Sequence, residues 1–196
     1  MNFLGVDTSA EYLTVIAVRD GKCETRFLND CARSHSVCLM EEIDRALSAL
    51  KMKPSDCDFF SAVVGPGSFT GIRIGISTIK GLCLATGKPA LPVTSFEVLA
   101  YAEREKKLLC TVDAGHGYYY AAGYDDRKLT IPPAYIPCEA ADEIVKSGYQ
   151  RIDRTTCDPA KGFLEAVTAK AGHTVAVGEL SALYLRKSSA EENLKK

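Results

Sequence analysis

The sequence has no tryptophan, only three histidines, no C-x-x-C pair and almost no surplus charge, with 24 Lys and Arg against 25 Asp and Glu in 196 residues. The missing tryptophan decides nothing about function, but the other shortages do. A formal charge of −1 argues against a basic face that grips nucleic acid alone by counterion release, so contact with RNA is expected to need a partner. The longest apolar runs are broken by Asp7, Arg19, Arg73 and Lys80, short of the roughly 20 residues a membrane helix needs. Residues 1–7 lack the charged and apolar regions of a signal peptide, and a cytoplasmic chain is expected. The eight cysteines, at 23, 31, 38, 57, 83, 110, 138 and 157, read as reduced, small apolar residues. Their one local cluster, Cys31, His35 and Cys38, has no obvious fourth ligand, so no metal site is expected. His35, His116 and His173 stand at no useful spacing from a nucleophile, and no catalytic residue is assigned.

What is present is a chain that is 46% apolar, enough for a packed core in one domain or two small lobes. Runs at 2–6, 12–18 and 22–28, with Asp20-Gly21 between the last two, predict a three-strand meander. Residues 34–50 then change period: His35, Leu39, Ile43, Ala46 and Leu50 mark an amphipathic helix, capped by Ser34 or Ser36 and ended by Pro54. A buried strand at 59–64 leads through Gly65-Pro66-Gly67-Ser68 into a helix over 69–86, a strand at 91–93 and a helix from a Ser95 cap to about Lys106.

The second half restarts the pattern, with strands at 108–112, 118–124 and 128–131. Pro132, Pro133 and Pro137 are expected to break the next stretch of chain. Helices are expected at 139–146 and 159–171, then a short strand at 175–177 and a charged tail that frays. Each half opens with an apolar strand closing on an aspartate, Asp7 or Asp113, and a duplicated β-β-β-α-β-α-β-α unit explains the parallel. The division expected is a first lobe over 1–106 and a smaller one over 107–196.

Two features of the 65–86 stretch bear on chemistry. The glycine turn fits no standard phosphate motif, because Gly71 is followed by Ile72 and Arg73 where a Walker loop needs Lys, and Thr70 stands where a dinucleotide fingerprint needs glycine. Gly67, Gly71 and Gly75 recur every four residues, and each interior helix glycine costs about 1 kcal/mol relative to alanine. A close backbone approach offsets that cost, from an internal element or from a partner's helix.

A duplicated unit of this order resembles the actin-like ATPase superfamily, an α/β, two-lobed, ribonuclease H-like fold, here with the second lobe shortened. Within it, Gly5-Val6-Asp7-Thr8-Ser9 and the run Gly65-Pro66-Gly67-Ser68-Phe69-Thr70-Gly71-Ile72-Arg73-Ile74-Gly75 resemble the bacterial TsaB family. Arg33-x-His35-Ser36, Pro92-Val93-x-Ser95, Asp113-Ala114 and Tyr184-Leu185-Arg186 add weaker matches, while Gly115, Tyr118 and Val37 depart from the family pattern. The resemblance implies a non-catalytic subunit that scaffolds and activates a catalytic transferase paralogue, TsaD-like, in threonylcarbamoyl transfer to adenosine 37 of tRNA. It also implies a helper ATPase, TsaE-like, tRNA contact only through the complex, no cofactor of its own, and ATP or ADP, if any, at the heteromeric interface. The transferase has a His-x-x-x-His metal pair where this chain has Ser95 and Leu99.

The partner interface implied by the resemblance lies on the helices 34–50 and 69–86, at His35, Leu39, Ile43, Gly67, Gly71, Ile72, Gly75, Ile76 and Ile79. Asp7, Thr8, Ser9 and Asp113 correspond to a vestigial nucleotide cleft, against the simpler reading that Asp7 and Ser9 only satisfy their own turn. Two alternatives stay open: an ATP-dependent kinase or transferase of the same superfamily, and a homodimer formed through the glycine face.

Overall fold

The computed structural model describes residues 1–32, 34–103 and 107–186. Five strands, β1 (Phe3–Asp7), β2 (Leu13–Arg19), β3 (Lys22–Leu28), β4 (Phe59–Val63) and β5 (Ala90–Val93), form a first sheet in the order β3-β2-β1-β4-β5. β1 pairs antiparallel with β2 and parallel with β4, and lies buried along its whole length, as a central strand covered on both faces must. A second sheet, β8-β7-β6-β9, is built from β6 (Lys107–Gly115), β7 (Tyr118–Asp125), β8 (Lys128–Pro137) and β9 (Gln150–Ile152). It repeats the first sheet's order with one strand fewer, so the fold is the duplicated, two-lobed actin-like architecture with a shortened second lobe.

Helices cover these sheets in layers. On one face of the first sheet, α1 (His35–Ala49) and α2 (Phe69–Thr86) bury Leu39, Ile43, Ile72 and Ile79 against Leu4, Val6 and Phe60. On the other face, α5 (Pro159–Lys170) places Phe163, Ala166 and Val167 on Phe3, Ile16 and Phe59. Between the sheets runs α3 (Ser95–Ala102), whose Val98 joins that cluster while Phe96, Leu99 and Ala100 pack on Leu108, Cys110 and Ala122. The last layer is α4 (Cys138–Lys146), with Ala141 against Leu109 and Ala121. α5 crosses α3 so closely that a β-carbon at Gly162 would strike the Val98 carbonyl oxygen, and only glycine permits the contact.

Several expectations are corrected. Pro132, Pro133 and Pro137 do not break the chain, because they lie on an edge strand, β8, where a lost N–H costs no ladder bond and register shifts near Gly123 absorb the irregularity. β9 is an added strand of three residues, too short and polar to show a period. α3 is capped by Thr94, not Ser95: Thr94 Oγ1 accepts from the Glu97 amide, and the Glu97 carboxylate accepts from the Thr94 amide. Val175 makes an isolated bridge to Ala90 instead of a strand. Arg33, the helix end expected near Lys106 and the charged tail from 187 lie outside the described residues. The two sheets fall on either side of the expected division, while α5 and residues 175–183 pack back onto the first lobe.

Burial raises the thiols of Cys57, to about 12, and Cys83, to about 11, so both stay protonated at neutral pH. No helix among the described residues is long and apolar enough to cross a membrane.

Candidate functional site at the lobe junction

The turn between β1 and β2 carries Asp7, Thr8 and Ser9, all buried. Asp7 Oδ1 accepts hydrogen bonds from the Ser9 amide at 2.8 Å and the Ser9 hydroxyl at 2.6 Å, and Oδ2 accepts from the Tyr12 phenol at 3.2 Å. Burial, and then the Asp7 carboxylate, push that phenol well above its ordinary range, so it stays a donor. The carboxylate is therefore engaged by its own turn, in the local pattern expected of Asp before a turn.

From the second lobe, the loop after β9 sends Arg154 into this turn. Its guanidinium donates to the Ser9 carbonyl at 3.1 Å, the Ser9 hydroxyl at 2.9 Å, the Pro66 carbonyl at 3.2 Å and the Ser95 hydroxyl at 3.0 Å. The Ser95 hydroxyl itself donates to Pro66 O at 2.7 Å. One side chain thus ties three segments of the first lobe to the second: the β1–β2 turn, the loop before α2 and the start of α3. Sequence reasoning missed Arg154, since the only signal was an arginine in a polar loop beyond an unread strand.

Asp113 stands apart from this network. It is exposed at the end of β6, where its Oδ1 accepts from the Gly115 amide at 2.8 Å in a local turn. The cleft of about 480 Å³ that opens beside Arg154 is lined by Tyr12, Phe27, Asn29 and the start of α5. None of Asp7, Thr8, Ser9 and Asp113 lines it. Of the four residues that correspond to a vestigial nucleotide cleft, Asp7, Thr8 and Ser9 are buried turn residues and Asp113 is exposed at the end of β6.

Of the expected interface residues, Gly67 is half-buried and the other eight are buried within the chain itself. Leu39, Ile43, Ile72, Ile76 and Ile79 are core, and His35 is 1% exposed with Nε2 at 3.0 Å from the Tyr12 carbonyl oxygen. The close approach permitted by the glycine stripe comes from the chain's own turn. A β-carbon at Gly71 would collide with the Thr8 carbonyl, one at Gly67 with the Ser9 carbonyl, and one at Gly75 would lie 2.5 Å from Thr8 Oγ1. Thr8 Oγ1 also donates to Gly71 O at 2.7 Å. What the same helices present outward is different: Val37 and Met40 on α1 are 77% and 55% exposed, and Leu84 on α2 is 72% exposed.

A family model described as "TsaD: tRNA N6-adenosine threonylcarbamoyltransferase" matches residues 29–191. The chain is 30% identical over 128 residues to an Escherichia coli (strain K12) protein named "tRNA threonylcarbamoyladenosine biosynthesis protein TsaB", a stretch covering 63% of this chain and 55% of that one. It is 31% identical over 126 residues to the Bacillus subtilis (strain 168) protein of the same name, with the same coverage of each. The match thus spans about half the length of these curated relatives. A crystal structure of a Pseudomonas aeruginosa protein with similarity to peptidase YEAZ superposes with a TM-score of 0.80 at 22% identity, covering 94% of this chain and 99% of that one, which shows a shared fold. Matched by this family model over most of its length, the chain belongs to the TsaD family.

Proposed function

We propose that the chain is a non-catalytic, cytoplasmic subunit that scaffolds and activates a TsaD-like transferase in threonylcarbamoyl transfer to adenosine 37 of tRNA. The observation that carries this reading is the fate of Ser95 and Leu99, which stand where the resembled transferase has its His-x-x-x-His pair. Ser95 is bolted to Pro66 and Arg154, and Leu99 is fully buried against the second sheet. Neither side chain is a metal ligand, and both are committed to holding the lobes together.

The exposed apolar residues of α1 and α2 support a partner on that face. Val37, Met40 and Leu84 are wet, on two helices packed side by side on one sheet, and a partner's apolar surface would dry them. In this reading a nucleotide is bound by the assembled complex, with a TsaE-like helper ATPase, and not by the Asp7 turn, whose polar atoms are already paired. Reconstitution of tRNA modification from the transferase and helper ATPase, with and without this chain, tests the proposal. Modification that depends on the chain supports it; modification by the chain alone, or full activity without it, opposes it.

A further inference from the structure

The two sheets have edges at β3, β5, β8 and β9, and all but the first are guarded against a further strand. β8 carries Pro132, Pro133 and Pro137, β9 is three residues long, and β5 holds Pro92 and is bridged at Ala90 by Val175. β3 is seven residues long, free of proline and paired with β2 without a register shift. Asp20 and Gly21, at φ of 49° and 81°, form a two-residue hairpin turn before it, so Arg19 and Lys22 exchange hydrogen bonds. Counting on from that pair, the backbone groups of Lys22, Glu24, Arg26 and Leu28 turn toward β2, and those of Cys23, Thr25 and Phe27 turn outward. Among the described residues, nothing outside the strand hydrogen-bonds to these outward groups.

The side chains along this edge alternate in charge. Lys22, Glu24 and Arg26 share the side of the sheet on which α1 lies, where Arg26 Nε meets Glu42 Oε2 at 2.8 Å and Arg26 Nη1 lies 3.7 Å from Glu24. Glu24 and Arg26 remain 32% and 36% exposed. Charges on an edge strand ordinarily repel other strands, but this order matches itself. When β3 lies antiparallel to a second β3 about a two-fold axis at Thr25, Thr25 faces Thr25 and Cys23 faces Phe27, each pair exchanging two hydrogen bonds. Glu24 then stands opposite Arg26 on both sides of the axis, and Lys22 opposite Leu28 closes the ends. The neighbouring registers that keep the outward groups facing set Glu24 against Glu24 and Lys22 against Arg26, or Arg26 against Arg26. The flanking acids, Asp20 and Asp30, lie beyond the strand, where positive φ turns the chain away.

We propose that β3 pairs edge to edge with β3 of a second copy of this chain, centred on Thr25, joining two five-stranded sheets into one. The occupant is a second copy because a two-fold axis guarantees the matching order of charges that an unrelated strand lacks. The inference rests on β3 alone and not on the functional reading above.

Sedimentation velocity of the full chain over a range of concentrations, with circular dichroism of each variant, tests this. A dimer is expected whose fraction rises with concentration. Thr25→Pro removes an N–H that points away from β2, so it should keep the fold and leave a monomer. Glu24→Arg should weaken association about tenfold, because both pairs across the axis turn repulsive while Arg26 keeps Glu42. Thr25→Cys in a Cys23→Ser background sets two thiols on a pair whose Cα atoms lie about 5.5 Å apart, within disulfide reach. Oxidation of that variant by diamide should give a covalent dimer, and Lys22→Cys, opposite Leu28, should not. The thiol variant keeps the test open should Thr25→Pro not fold. A chain that is monomeric at every concentration overturns the proposal, as does a dimer indifferent to Thr25→Pro or one that Thr25→Cys does not cross-link. If the free chain is monomeric and Thr25→Pro loses the transferase instead, the edge takes a foreign strand and this inference falls. A monomer that still stimulates the transferase sinks this inference and leaves the functional reading standing.

Discussion

The Arg154 guanidinium, carried on the loop after β9, donates to the Ser95 hydroxyl at 3.0 Å, and Ser95 opens the helix that lies between the two sheets. Across the lobe junction this contact joins the shortened second half to the three segments that in the first half surround Asp7. Removing a charged donor costs about 1.5–3 kcal/mol and leaves the Ser9 and Pro66 carbonyls without it. Arg154→Ala is accordingly expected to lose about that much stability in urea denaturation. Arg154→Lys should recover only part, because one ammonium cannot span four acceptors. A variant as stable as wild type would show that the junction does not depend on this side chain.

The glycines of α2 separate into two kinds. At Gly71 a methyl group meets the Thr8 carbonyl, whereas at Gly81 nothing lies within 4 Å of an added β-carbon. Gly71→Ala should destabilise the isolated chain by about 1–3 kcal/mol despite alanine's better helix propensity. Gly81→Ala, by contrast, should stabilise it by about 0.5–1 kcal/mol. Thermal unfolding of the two variants side by side checks both signs. If Gly71→Ala melts like wild type, the turn can move away and the close approach is not a constraint.

The outer face of the same helices is expected to behave in the opposite manner. Val37→Asp and Leu84→Asp place charges on residues that are more than two-thirds exposed, so folding should change by less than about 0.5 kcal/mol. Association with the transferase should fall by tenfold or more, because a charge would be buried at the contact. Co-elution and circular dichroism, measured together, distinguish a lost surface from a lost fold.

Acid stability should report Glu42. This carboxylate is 2% exposed on the inner side of α1 and pairs with Arg26 at 2.8 Å and Arg45 at 2.7 Å. Burial pushes its pKa up, but the two arginines outweigh that and hold it below the ordinary 4.5. A folded pKa below the unfolded one means the contribution is complete above about 4.5 and is lost as the pH falls through the lowered value. Glu42→Gln should therefore flatten the acid limb of a stability profile, and an unchanged limb would contradict the ion-pair account.

Much of this fold is legible in the sequence because its elements declare a period. The meander, both helices on the first sheet and the restart after the first lobe follow from alternation, three-to-four spacing and the Asp20-Gly21 and Asp125-Asp126 turns. β8 is legible only as far as Ile131, since Pro132, Pro133 and Pro137 read as breakers when the edge position makes them harmless. The site is less legible than the fold. A stripe at Gly67, Gly71 and Gly75 announces a close neighbour but not its identity, and the neighbour proves to be the Thr8 and Ser9 backbone. Arg154 lies 145 residues from Ser9, so no local pattern connects them. The buried face of α1 likewise carries the conspicuous residues, His35, Leu39 and Ile43, which a periodicity argument finds first, whereas Val37 and Met40 are the apolar residues left open to solvent.

The central claim is that this chain acts on another protein's chemistry through the outer faces of α1 and α2. Its most direct test is the initial rate of tRNA threonylcarbamoylation by the transferase and helper ATPase, titrated with wild-type chain and with the Val37→Asp, Leu84→Asp double variant. The account predicts a rate that rises and saturates with wild-type chain and stays at the unstimulated level with the folded double variant. A rate indifferent to the wild-type chain, or equal stimulation by both proteins, would contradict it.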